Sequence, residues 1–135
     1  MGVRYLWDTN IAIYFLQQQF PPSAEKFMDK VLSNTSPEIS AITEIELLCW
    51  KTNSKKDLQV LHSFIENALI LELTKEVKHK TADIRKKYRV KLPDAVIAAT
   101  ALIYEMTLLS RNVEDFNKIE GLKLINPHDQ ETVDE

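Results

Sequence analysis

Short apolar segments alternate with longer helical patterns along the chain, and this alternation restricts the fold more than any other feature. Five segments have the length and composition of buried strands, at residues 3–7, 37–42, 69–73, 107–111 and 122–125. Strands separated by helices pair in parallel through crossover connections, which bury both faces of the sheet. The sequence therefore predicts an α/β fold whose parallel sheet is covered by helices on both sides.

The helix predicted over residues 92–106 is apolar on every side, so we expect it to be buried at the centre of the fold. A chain of 135 residues is long enough for one domain with a proper core. No apolar run approaches the roughly 18 residues of a membrane span, and the first residues do not resemble a secretory signal. Because Cys49 is the single cysteine, no disulfide framework exists. We expect a cytoplasmic protein that does not enter the membrane.

Charge is unevenly distributed along the chain. The segment 127–135 holds four acidic residues and no Lys or Arg, which leaves 16 acids against 17 bases in residues 1–126. We expect residues 1–126 to form the domain and residues 127–135 to form an acidic C-terminal tail. Eight Lys and Arg residues cluster between residues 75 and 91. They indicate either a solvated helix face or a rim that attracts phosphate groups.

Four stretches place acidic side chains at predicted element ends. Each acid has a structural explanation: Asp8 suits an N-cap, Thr43 and Glu46 match a capping box, Asp94 lies in the first turn of its helix, and Asn112 would cap a helix that holds Asp115.

These local explanations do not account for the common location of the four stretches. They lie on elements expected at the centre of the sheet, and ligand sites of open α/β sheets form at the carboxyl ends of strands. Clustered carboxylates repel one another unless a cation neutralises them, and oxygen-only ligands suit Mg²⁺ or Mn²⁺. The three histidines are scattered, show no zinc pattern and are most simply surface residues, and Cys49 is most simply part of the core.

Four motifs in this order and spacing resemble those of the PIN domain, and most of all the VapC-type ribonuclease toxins of type II toxin–antitoxin systems. They are "YLWDTNIAIYFL", "ISAITEIELL", "LPDAVIAATALI" and "LLSRNVEDFNKI". The resemblance covers the chain up to residue 126. It implies a three-layer α/β/α fold with a central, mainly parallel sheet of about five short strands. It also implies a Mg²⁺-dependent endoribonuclease, a homodimer and a cognate antitoxin.

Motif by motif, the resemblance implies roles for individual residues. Asp8, Glu46 and Asp94 would form the acidic cluster, with Asp8 and Asp94 as direct metal ligands. Thr9 or Ser110 would position water or phosphate. This chain has Asn112 where a fourth acid often stands, so either Asp115 takes that place or the site has three strong acids.

The resulting hypothesis is hydrolysis of phosphodiester bonds in single-stranded or looped RNA. Metal at Asp8 and Asp94 would activate a water molecule that Glu46 orients or deprotonates, with help from Asp115 or Asn112. Two alternatives remain. An aspartyl-phosphate enzyme would need a second acid near Asp8, where the chain has Asn10. A catalytically weak or inactive PIN scaffold would only bind RNA or protein.

Overall fold

The computed structural model describes residues 2–129, and a parallel sheet with β1 at its centre organises all of them. The strand order is β3-β2-β1-β4-β5, and every pairing is parallel. The strands are β1 (Tyr5–Trp7), β2 (Glu38–Ser40), β3 (Leu69–Leu71), β4 (Thr107–Leu109) and β5 (Leu124–Ile125). The predicted fold class and the five predicted strands are confirmed, although each strand is shorter than its apolar segment.

Seven α-helices among residues 2–129 cover the two faces of the sheet. They are α1 (Thr9–Leu16), α2 (Pro22–Leu32), α3 (Ala41–Leu48), α4 (Lys55–Asn67), α5 (Lys75–Lys87), α6 (Leu92–Ile103) and α7 (Val113–Phe116), followed by a 3₁₀ turn at Pro127–Asp129. Within the described range, none of these helices has the length and apolar character required to cross a membrane.

The order of the strands reverses beside β1. From β1 the chain passes to β2 and then to β3 on one side, and it crosses back to form β4 on the other side of β1. Trp7 lies opposite Leu109, and the backbone N–H of Asp8 donates to the carbonyl of Leu109 at 2.9 Å. The residues that follow β1 and β4 therefore meet where a doubly wound sheet forms its ligand crevice.

The strands bury alternate residues on opposite faces, as the pleat requires. Leu6 and Leu108 pack into the cluster that includes α5 and α6, whereas Trp7 and Leu109 pack into the cluster that includes α1, α2 and α4. All residues from Ala95 to Ala101 on α6 are buried, which confirms the predicted central helix.

The predicted C-terminal tail is described only at its start. Pro127 is buried and His128 is half-buried, with its ring 4.9 Å from the ring of Tyr14 and 5.8 Å from that of Phe20. The interpretation of His128 as a simple surface residue is therefore wrong, while His62 and His79 are exposed as predicted. The other residues of the tail, 130–135, lie outside the described part of the chain.

The packing of α6 leads to a stability prediction. Ala98 is fully buried between the helix and its neighbours, so we expect Ala98→Leu to overpack the core and to lower the free energy of unfolding by about 1–3 kcal/mol. Urea denaturation would measure this. The same substitution at exposed Ala82 on α5 is the control and should change stability by less than about 0.5 kcal/mol. Equal effects at the two positions would contradict the central burial of α6.

Candidate active site

Asp8 is held by hydrogen bonds from both sides of the crevice. Its side chain is only 5% exposed, and Oδ1 accepts the N–H of Thr9 at 2.7 Å, as an N-cap of α1 does. Oδ2 accepts the hydroxyl of Ser110 at 2.7 Å and the side-chain amide of Asn10 at 3.2 Å. Asp8 thus caps the helix with one oxygen and joins β1 to the residue after β4 with the other.

The environment of Asp8 opposes its ionised form. Burial raises the pKa of this carboxyl to about 6, although the hydrogen bonds from Ser110 and Thr9 favour the charged form. The negative charges of Asp94 and Glu46 raise the pKa of Asp8 further. A nearby cation would relieve both the desolvation and the repulsion.

Asp94 faces the same crevice from the first turn of α6. It is half-buried, and its carboxylate makes no hydrogen bond within residues 2–129. Loss of solvent raises the pKa of the Asp94 carboxyl, the charges of Asp115 and Glu46 raise it further, and Lys91 opposes them. Asp8 is therefore close enough to repel Asp94 and Glu46, and Asp94 is close enough to repel Asp115 and Glu46, so the structure brings the four predicted acids into one region.

Glu46 projects from α3 toward α1. It is half-buried, and its Oε1 accepts the hydroxyl of Thr9 at 2.5 Å. The predicted capping box is wrong, because α3 begins three residues before the predicted start. Strand β2 ends at Ser40, whose side chain takes the N-cap role and accepts the N–H of Thr43 at 3.2 Å. Glu46 therefore takes no part in capping α3.

The segment after β4 holds three of the predicted residues. The hydroxyl of Ser110 donates to Asp8 and accepts the N–H of Asn112 at 2.8 Å. Asn112 occupies the N-cap position of α7, but its side chain donates to Asp115 Oδ2 at 3.0 Å instead of capping a backbone group. Asn112 therefore orients Asp115, whose charge acts on Asp94.

The donor set has the chemistry of a hard-cation site. The side chains of the predicted site residues carry carboxylates, hydroxyls and one amide, and no nitrogen or sulfur ligand typical of zinc. Across residues 2–129, no three His, Cys, Asp or Glu side chains converge tightly enough to enclose a metal by themselves. Such an open arrangement fits Mg²⁺, which keeps several waters and takes one or two carboxylates together with substrate phosphate.

Two features of the site region were not predicted from sequence. Arg111 is exposed beside the crevice, where it donates to the Tyr14 hydroxyl and lies 5.3 Å from the centre of the Tyr14 ring. Cys49 is exposed, so its assignment to the core is wrong: α3 ends at Leu48, and the turn that follows directs Cys49 outward. Arg111 lies within the fourth motif, but that motif does not show its contact with Tyr14, and no periodicity shows that Cys49 is exposed.

An α/β domain with acidic side chains at its strand-order reversal has the architecture of a ligand-binding or catalytic domain. The family model described as "PIN domain" matches residues 5–122. The chain therefore belongs to the PIN domain family, and the resemblance found in its motifs is confirmed.

Three relatives are similar over nearly the whole chain. Ribonuclease VapC2 of Rickettsia felis is 27% identical over 130 residues, which cover 90% of this chain and 96% of the relative. A toxin–antitoxin complex from Klebsiella pneumoniae contains a chain 28% identical, with a TM-score of 0.71 and coverage of 91% and 97%. DNA-bound VapBC from Salmonella typhimurium contains a chain 24% identical, with a TM-score of 0.78 and coverage of 93% and 99%; this last likeness shows the fold alone.

The raised pKa of Asp8 predicts how stability depends on pH without metal. A carboxyl that binds its proton more tightly in the folded than in the unfolded chain stabilises the fold at low pH. That contribution is lost as pH rises from near the ordinary value of 3.8 to about 6. The shift of about two pH units corresponds to at most about 3 kcal/mol.

Chemical denaturation in EDTA at pH 4, 5, 6 and 7, on the parent and Asp8→Asn, would isolate this contribution. We expect the stability of the parent relative to the variant to fall across this range. A difference that is constant with pH, or that grows with pH, would contradict the raised pKa.

Proposed function

We propose that the protein is a Mg²⁺-dependent endoribonuclease that hydrolyses single-stranded or looped RNA in the cytoplasm, as the toxin of a toxin–antitoxin pair. The observation that carries the proposal is Asp8, a buried carboxylate that Ser110 and Thr9 orient and that lies near two further acids, Asp94 and Glu46. Similarity to a relative named Ribonuclease VapC2 supports the same reaction class.

Asp8 and Asp94 are the residues that would hold the metal ion. When bound, Mg²⁺ would lower the pKa of a water molecule and neutralise charge on the phosphate. The bonds from Ser110 and from the Thr9 N–H keep both oxygens of Asp8 in fixed positions. The Asp94 carboxylate has no hydrogen bond to another described residue, so it is available for ligation.

Glu46 and Asp115 would act on water and on the leaving group. Glu46 Oε2 makes no hydrogen bond among the described residues, so this oxygen can orient or deprotonate the attacking water. Asp115, held by Asn112, would assist through a second water or ion. The hydroxyls of Thr9 and Ser110 already donate to carboxylates, so they would position these acids rather than the phosphate itself.

Purified protein, freed of any partner, should cleave fluorescent single-stranded and hairpin RNAs in Mg²⁺ or Mn²⁺ and should be inactive in EDTA. The metal requirement follows from the mutual repulsion of the acids. Intact RNA in both metals, with a correctly folded protein, would favour the scaffold interpretation. Cleavage that persists in EDTA would exclude the metal site as its cause.

The substitution Asp94→Asn distinguishes a metal-binding role of Asp94 from a purely structural role in the first turn of α6. The variant should lose cleavage, yet in EDTA it should be as stable as the parent or more stable by about 0.5–2 kcal/mol, because one repelling charge is removed. With Mg²⁺ at a hundredfold excess over its dissociation constant, the parent should gain about 2.7 kcal/mol, and the variant should lose most of this gain.

Asp57→Asn is the matched control, because Asp57 is also the third residue of its helix, α4, and is exposed. It should lose a few tenths of a kcal/mol in both buffers. Thermal melting in EDTA and in Mg²⁺ would compare the three proteins. If Asp94→Asn and Asp57→Asn changed the melting temperature equally in both buffers, Asp94 would have only a structural role at the start of its helix.

An apolar groove beside the site would receive the antitoxin. It encloses about 170 Å³ between α1 and the end of α3, and Ile13, Leu16, Leu47 and Trp50 line it together with Glu46. An amphipathic helix with apolar anchors fits such a groove. Because Glu46 lies in its wall, a partner seated there would reach the acidic crevice, and a basic side chain of the partner could enter it.

Ile13→Ser should weaken binding of the proposed antitoxin by about tenfold, the effect of losing roughly 1.4 kcal/mol of apolar contact. RNA cleavage should be unchanged, because Ile13 is 41% exposed and makes no bond to the acids. Ile103→Ser, at a 39% exposed position on α6, is the control and should bind normally. Calorimetry would measure both affinities, and equal weakening would place the partner elsewhere.

The predicted homodimer also belongs to this proposal. Sedimentation of the purified protein should show a dimer, and a monomer at high micromolar concentration would contradict it.

A further inference from the structure

Three side-chain hydroxyls form a continuous row that ends at Glu46. Ser40 Oγ lies 3.2 Å from Thr43 Oγ1, Thr43 Oγ1 lies 3.0 Å from Thr9 Oγ1, and Thr9 Oγ1 lies 2.5 Å from Glu46 Oε1. The row connects the end of β2 through α3 to the first residue of α1.

The direction of the row follows from the number of protons. An ionised carboxylate only accepts hydrogen bonds, so Thr9 uses its single hydroxyl proton to donate to Glu46. Thr43 must then donate to Thr9, and Ser40 must donate to Thr43. Every hydroxyl donates once toward Glu46, and consecutive bonds of one direction polarise and strengthen one another.

Burial makes this row difficult to replace with water. Ser40 and Thr43 are both fully buried, whereas Glu46 is half-buried with one oxygen bonded and the other without a partner among residues 2–129. A buried hydroxyl that loses its neighbour is left unsatisfied at a cost. The row therefore holds Glu46 Oε1 in place and leaves Oε2 without a hydrogen bond to any described residue.

We propose that Thr43 and Ser40 are positioning residues, which act through Thr9 to orient the Glu46 carboxylate for its work on the attacking water. This inference rests on the proposed function for its catalytic meaning. It assigns a role to two fully buried residues, Ser40 and Thr43, that lie outside the proposed set of metal-binding and catalytic residues. The opposing interpretation is that Thr43 only fills space where α1 and α3 pack.

Two substitutions at Thr43 separate these interpretations. Thr43→Val keeps the shape and removes the hydroxyl, whereas Thr43→Ser keeps the hydroxyl and removes a methyl group. Orientation of Glu46 predicts that Thr43→Val lowers kcat about tenfold with KM unchanged, and that Thr43→Ser restores kcat to near the parent. If Thr43 only fills space, Thr43→Ser should lower kcat and Thr43→Val should leave it near the parent value. That result would overturn the proposal.

Two controls locate the effect. Thr100→Val removes another buried threonine hydroxyl, which donates to the Val96 carbonyl on α6, and it should leave kcat unchanged. In a Thr9→Val background the row is already broken, so adding Thr43→Val should lower kcat no further. Independent, multiplicative losses in this pair would show that Thr43 does not act through Thr9.

A readout without catalysis tests the row even if the protein cleaves no RNA. The change in melting temperature of the double variant Thr43→Val with Glu46→Ala should differ from the sum of the changes in the two single variants. The reason is that Thr9 couples the two side chains, although they do not bond to one another. Thr100→Val with Glu46→Ala should be additive. Additive shifts in the Thr43 pair would overturn the row itself, whereas coupled shifts together with no cleavage by the parent would overturn only the proposed function.

Discussion

Parallel pairing of β1 with β4, on the side of β1 away from β2, is the contact on which the site depends. The Asp8 N–H bonds to the carbonyl of Leu109, and one residue later the Ser110 hydroxyl bonds to the Asp8 carboxylate. Without this pairing, the acids on α3, α6 and α7 would have no common edge. The apolar faces of Trp7 and Leu109 on one side, and of Leu6 and Leu108 on the other, hold the pairing in place.

The same constraint explains why the site opposes stability. Burial raises the pKa of Asp8, and partial burial raises the pKa of Asp94. Neighbouring carboxylates raise both pKa values further. The chain offsets this by bonding the Asp8 carboxylate to three donors and the Glu46 carboxylate to one, while the Asp94 carboxylate has no hydrogen bond to any described residue. Such an uneven distribution is expected of a site that completes its coordination with an ion and a phosphate.

The fold was predictable because it is encoded in local patterns. Five short apolar segments and an all-apolar helix were sufficient for the sheet, its parallel pairing and the burial of α6. The acids that the structure brings together were predictable for the same reason, since Asp8 follows a buried strand and Asp94 begins a buried helix. Their catalytic and metal-binding roles stay predictions.

What could not be predicted depends on contacts between distant segments. The row from Ser40 to Glu46 requires α1 and α3 to pack side by side, and no periodicity shows this. Thr43 and Glu46 match the capping-box pattern, but the helix does not begin at Thr43. Ser40 is the N-cap of α3 instead. The exposure of Cys49 and the pairing of Arg111 with Tyr14 likewise follow from tertiary geometry.

The most direct test of the account is to locate the metal. Crystals of the parent soaked in Mn²⁺ should show an anomalous scattering peak within coordination distance of both Asp8 and Asp94, with water in the remaining positions. Crystals of Asp94→Asn soaked in the same way should show a weaker peak or none. A peak away from these two side chains, or none in the parent at saturating Mn²⁺, would contradict a metal-dependent acidic site at the strand-order reversal.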